Sequence, residues 1–145
     1  MTTALFPGSF DPFTIGHLDI LRRARAIFPR VVVSIGINTA KTSAADAESR
    51  IEAIHRATAG MDGVEVMTWE GLTVDAAHAV GATVIVRGIR SSADFEYERP
   101  IAELNRRISG IDTLFLPADP ALASISSSAV RELQRFGYDT KEFLP

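Results

Sequence analysis

The segment from Val31 to Ile37, VVVSIGI, is apolar at consecutive positions rather than alternate ones. Successive strand side chains point to opposite faces, so such a run must be covered on both. That condition is met in parallel sheets flanked by helices. A sheet with one solvated face alternates apolar and polar instead. Four further segments read as short strands: Thr2 to Phe6, Val64 to Met67, Thr83 to Arg87 and Thr113 to Leu116. Between them the apolar spacing becomes helical. The pattern predicts helices over Gly16 to Phe28, with Leu18, Leu21, Ala24 and Phe28 on one face, and over Ala47 to Ala59, with Ile51, Ile54 and Ala57 inward. Others are expected from Thr73 to Val80, stopped by Gly81, and from Ser127 to Phe136, closed by Gly137. Asp94 to Ile108 reads as a helix interrupted near Pro100, and Asn38 to Asp46 as a polar loop. Five β-α units without a repeat or linker imply one α/β domain over residues 1–145, a five-stranded parallel sheet with helices on both faces.

The balance of residues narrows the function. A net charge of −3 argues against a general nucleic-acid binder, which carries a basic surface. The absence of cysteine excludes disulfides and thiolate chemistry. Neither a membrane span nor a charged leader followed by a long apolar stretch is present. A cytoplasmic protein without nucleic-acid or membrane partners is expected.

Parallel sheets bind ligands beyond the carboxyl ends of their strands. The unusual polar residues cluster there: Ser9 to His17, Lys41, Leu72-Thr73, Arg87 to Arg90 and Ser126 to Ser128 follow the five strands in order. Gly8 and Ser9 allow close approach of backbone amides to an anion, and His17 falls in a first helical turn, where the dipole favours negative charge. His17 reads either as a donor to phosphate or as a cap of its own helix. Lys41, one of two lysines, is a mobile point charge for a phosphate or a solvated loop residue. Arg87 and Arg90 suit phosphate oxygens, or pair with Asp94, Glu96 or Glu98. One serine of Ser126-Ser127-Ser128 is explained by an N-cap; three in a row, with Arg131 one turn later, suggest a phosphate site. His55, His78, Trp69 and Tyr97 read as surface or packing residues. The P-loop and G-x-G-x-x-G patterns are absent.

Thr14-Ile15-Gly16-His17 resembles the HxGH signature of the nucleotidylyltransferase superfamily, with threonine first. PGSFDPFTIGH at 7–17, NTAK at 38–41, VRGIRSSADFEYE at 86–98, Asn105, ISSS at 125–128 and FLP at 143–145 together resemble the bacterial phosphopantetheine adenylyltransferase family over nearly the whole chain. The resemblance implies a Rossmann-like sheet, AMP transfer from ATP to 4'-phosphopantetheine, Mg²⁺ bridging phosphates with few protein ligands, and a homohexamer. It implies His17, Lys41 and Arg90 as the catalytic set. ATP would meet Ser9, Phe10, His17, Gly88, Ile89, Arg90, Glu98 and the run Ser124, Ile125, Ser126, Ser127 and Ser128. The acceptor would meet Ser9, Lys41, Leu72, Thr73, Arg87 and Asn105. No metal-ligand cluster is expected among the side chains. Thr42 to Asp46 carries small and polar residues where the family has bulky apolar ones, so this loop is expected to be ordered by the acceptor phosphate. Two rival readings are another HxGH-class transferase and a non-catalytic nucleotide-binding module.

Overall fold

The computed structural model describes residues 1–145. Five parallel strands, β1 (Thr3–Gly8), β2 (Arg30–Gly36), β3 (Val64–Trp69), β4 (Val84–Ile89) and β5 (Asp112–Pro117), lie in the order β3-β2-β1-β4-β5. The intervening helices are α1 (Ile15–Ile27), α2 (Ala44–Ala57), α3 (Thr73–Val80) and α4 (Ser92–Ser109); α5 (Ser127–Arg135) and a short 3₁₀ turn (Lys141–Phe143) follow β5. The consecutive apolar runs feed two cores. Ala4, Phe6, Val31, Val33, Ile35, Val84 and Val86 pack with Leu18, Leu21 and Ala24 of α1 and Ile54 of α2. Leu5, Val32 and Ile85 face the other way, against Val74, Ala76 and Ala77 of α3. The sheet is thus covered on both faces, the parallel arrangement that the sequence predicts.

Three local expectations change. β1 continues through Pro7 and Gly8, which pair with Ser34 and Ile35 of β2. Proline is tolerated there because β1 pairs with β4 only at Ala4 and Leu5. Beyond them the two strands part, and no partner needs the missing N–H. α2 starts at Ala44, inside the expected loop: the Ser43 hydroxyl accepts the Asp46 amide at 3.1 Å, and two alanines follow the cap. α4 is unbroken through Pro100. Pro100 and Glu96 are both exposed, so solvent can take the carbonyl that the missing N–H releases.

The opening between β1 and β4 is the switch point of the strand order. From here the chain proceeds outward in both directions, and the crevice forms beyond the strand ends.

Candidate active site

Two cavities occupy this crevice. One, about 240 Å³, is lined by Ser9, Phe10, Thr14, His17, Gly88 and Arg90, with Asp94, Leu122 and Ile125 to Ser128. The other, about 310 Å³, is lined by Ser34, Trp69, Thr73, Tyr97, Asn105 and Thr113, among others. Pro7, Gly8, Arg87 and Glu98 line both. The cavities therefore share a wall, and Arg87 is the cation in it.

His17 caps its own helix and keeps one ring N–H free of that task. The buried Thr14 is the N-cap of α1: its hydroxyl accepts the His17 amide at 3.3 Å, and its own amide donates to His17 Nδ1 at 2.9 Å. This is a capping box with histidine in place of the usual Glu or Gln. Because Nδ1 accepts from a backbone N–H, the proton of the neutral ring resides on Nε2. The ring stacks on Phe13 at 5.5 Å and meets Phe10 edge-on at 5.1 Å. Burial, then Arg87, then Arg90 lower the His17 pKa from 6.5 to about 4, so the imidazole is neutral near pH 7.

The arginines already hold carboxylates. Arg87 donates to Glu98 through Nε at 3.2 Å and Nη2 at 2.5 Å, and through Nη1 to the Pro7 carbonyl at 2.6 Å. Arg90 donates through its amide and Nε to Asp94 Oδ2 at 3.0 and 3.1 Å. The ion pairs are the reading that the geometry shows; a guanidinium carries five N–H groups, so each arginine also has some left over.

The three serines have separate tasks. Ser126 caps α5 by accepting the Ala129 amide at 3.0 Å. Ser127 donates its hydroxyl proton to the Pro12 carbonyl at 2.7 Å. Ser128 accepts from Arg131 Nη2 at 3.3 Å. The Ser127 hydroxyl has therefore spent its proton and can meet an anion only through its backbone amide. The Ser127 and Ser128 amides, in the first turn of α5, have no intrahelical partner and remain available.

Of the other expected residues, Thr73 and Asn105 line the larger cavity, and Glu98 is in the shared wall. Lys41 is on an exposed turn and lines neither cavity; nor do the exposed Leu72 and Ser124 or the half-buried Ile89. Trp69 and Tyr97, expected to be packing residues, line the larger cavity. Trp69 Nε1 and Thr113 Oγ1 there are buried without a hydrogen-bond partner. His55 and His78 are exposed on their helices, as expected. Arg131, one turn after the serine run, and Arg50, which no sequence motif marks, both bond to the loop after β1, and neither lines a cavity.

The cytidylyltransferase-like family matches residues 5–133. A phosphopantetheine adenylyltransferase of Porphyromonas gingivalis is 56% identical over 142 residues, covering 98% of this chain and 93% of the relative. The enzymes of the same name from Phocaeicola vulgatus and Oenococcus oeni are 48% and 46% identical over 145 residues, the whole of this chain, and the matches cover 96% and 92% of those relatives. Among solved structures, a bifunctional NMN adenylyltransferase/ADP ribose pyrophosphatase from Francisella tularensis superposes with a TM-score of 0.75 at 17% identity. That match covers 99% of this chain but 44% of the longer protein, and it speaks to the fold.

Proposed function

We infer the reaction from the family: the chain belongs to the phosphopantetheine adenylyltransferases, within the cytidylyltransferase-like group. It transfers AMP from ATP to 4'-phosphopantetheine, releasing pyrophosphate and forming dephospho-coenzyme A. The observation that best supports this for the site is the shared wall: two cavities that meet at Arg87 suit two substrates joined through a phosphate.

We propose that the His17 cavity takes ATP and the Trp69 cavity takes the pantetheine arm. An oxygen of the acceptor phosphate attacks the α-phosphorus of ATP, and the bond to the bridging oxygen breaks as pyrophosphate departs. A phosphate monoester is largely dianionic near neutral pH, so the step needs no general base. What remains is alignment of two anions and neutralisation of charge. The Nε2–H of His17 donates to a non-bridging oxygen of the α-phosphoryl group. Arg90 and the amides of Ser9, Phe10, Ser127 and Ser128 meet the triphosphate. Gly88, Ile89, Glu98 and Ser124 to Ser126 complete the nucleotide side. Ser9, Lys41, Arg87, Leu72, Thr73 and Asn105 serve the acceptor.

No group of three or more His, Asp or Glu side chains is placed to hold a metal ion. Mg²⁺, which the family resemblance implies, would offset charge on the triphosphate when bound. We also propose, from the family resemblance, that residues 1–145 act as one nucleotidyltransferase unit in the cytoplasm. No helix is long and apolar enough to cross a membrane. α4 has no buried residue, and its Phe95, Ile101, Leu104 and Ile108 are exposed together with Leu114 on the edge strand β5. Such a face supports assembly with further copies, read here as the family's homohexamer and measurable by light scattering. Pyrophosphate release with ATP and a panel of acceptors tests the reaction. Release with 4'-phosphopantetheine is expected. Release only with nicotinamide mononucleotide, or with no acceptor, would sink this reading.

A further inference from the structure

The loop that lines the nucleotide cavity is held from behind. Arg50, from α2, donates through Nη1 to the Ser9 carbonyl at 3.2 Å and reaches the Asp11 carboxylate at 3.4 Å. Arg131, from α5, donates to the Asp11 carbonyl at 2.6 Å. Neither arginine lines either cavity, whereas Ser9 and Phe10 line the one containing His17. In a trans peptide the C=O and the following N–H point in opposite directions. Holding the Ser9 carbonyl from the α2 side therefore turns the Phe10 N–H the other way, toward the cavity. The Ser9 and Phe10 amides have no protein partner.

The conformation so held is not one that a phenylalanine chooses. Phe10 has φ of 47°, in the left-handed region. Such a backbone is strained and persists only where its surroundings over-determine it. The Phe10 ring supplies part of that constraint, packed between Phe6 and Phe13 at 5.2 and 5.5 Å. The arginines supply the polar part.

We propose that Arg50 and Arg131 are positioning residues for AMP transfer: from two different helices they fix the backbone from Ser9 to Pro12 so that the Ser9 and Phe10 amides face the nucleotide phosphates. The proposal rests on the reaction assigned above. It differs from a direct electrostatic role, because these guanidinium groups act through carbonyls and touch no substrate.

The test combines kinetics with an amide readout that needs no turnover. With ATP and 4'-phosphopantetheine varied separately, Arg50→Ala lowers kcat by roughly 10- to 100-fold, as expected for a small displacement of aligned groups. KM for the acceptor stays close to wild type. Arg50→Lys recovers only part of kcat, since an ammonium lacks the fork that spans carbonyl and carboxylate. In nuclear magnetic resonance titrations with ATP, the Phe10 amide shifts in the wild type and loses that response in Arg50→Ala. Arg131→Ala gives the same signature from the other helix and serves if Arg50→Ala fails to fold. Unchanged kcat in a folded Arg50→Ala or Arg131→Ala overturns the proposal. So does full recovery in Arg50→Lys, or an equal Phe10 response in wild type and variants. A wild type that shows the Phe10 response without releasing pyrophosphate would overturn the assigned reaction and leave the positioning role standing.

Discussion

Two loops leave neighbouring strands at the same end of the sheet and are built in opposite ways. The loop after β1 buries Phe10, Phe13 and Thr14, and its carbonyls are gripped by side chains from α2 and α5. The turn after β2, carrying Lys41, is exposed and is tied mainly to itself. Lys41 and Thr42 donate their amides to the Asn38 carbonyl, Ala40 donates to the Asn38 side chain, and Thr39 reaches Glu70 through its hydroxyl at 3.0 Å. Under the roles proposed above, the preorganised first loop needs little movement where charge shifts between phosphates. The second lacks buried contacts, so under the same proposal ordering its lysine costs binding energy when the acceptor arrives. On that reading, rigidity belongs to the chemical step and adaptability to substrate entry.

The sharpest way to break this contrast is His17→Ala. If the rigid loop serves the transition state, kcat falls roughly 10²- to 10³-fold, about 3–4 kcal/mol, with ATP affinity changing far less. Turnover and ATP binding measured separately decide it, and near-normal turnover would reduce His17 to a helix cap.

Acid should attack the same loop selectively. Above pH 6.5 His17 is neutral in both the folded and unfolded chain and contributes no pH dependence. As pH falls from 6.5 to about 4, the unfolded chain takes up a proton that the folded site refuses. Stability therefore declines over that window, by about 3 kcal/mol at most. Denaturant midpoints at a series of pH values measure this, and His17→Gln should flatten that part of the profile.

On the adaptable side, Lys41→Ala should weaken 4'-phosphopantetheine binding by roughly 1.5–3 kcal/mol and leave ATP binding alone. Calorimetry with each ligand separates the two; equal losses would mean that the lysine serves the nucleotide. The smallest effect is expected from Glu70→Ala, which removes the tether at Thr39. It should cost under about 1 kcal/mol of stability while speeding hydrogen exchange at residues 39–42. The Ser9 and Phe10 amides carry no hydrogen bond, so the rigidity of that loop is read instead from backbone order parameters, which should stay high in both proteins. Equal order parameters in the two loops would erase the distinction.

Strands and helices were legible because their signal is local: VVVSIGI must be buried on both faces wherever it lies. The misread boundaries depend on neighbours. Nothing near Pro7 says that β4 turns away after Leu5, and nothing near Pro100 says which side of α4 is solvated. Site residues followed the same division. Gly8, His17, Arg87 and the serine run stood out by type and place. The task of Ser127 depends on a carbonyl 115 positions away, Arg50 has ordinary helix surroundings in the sequence, and Arg131, marked by the serine run as a phosphate candidate, bonds instead to the Asp11 carbonyl. A side chain's type is local information, whereas the backbone group that it will hold is not.

Gly88 adds a mechanical consequence. A Cβ built there would lie 3.0 Å from Ile20 Cγ1, so β4 and α1 already stand as close as their atoms permit. Gly88 follows Arg87, and Ile20 is one turn along the helix from His17. The absence of a single methyl group thus works as a gauge block between the strand that carries the cation and the helix that carries the imidazole. Any side chain at this position is a shim, and its thickness is transmitted to the gap in which a phosphoryl group would have to pass from one oxygen to another.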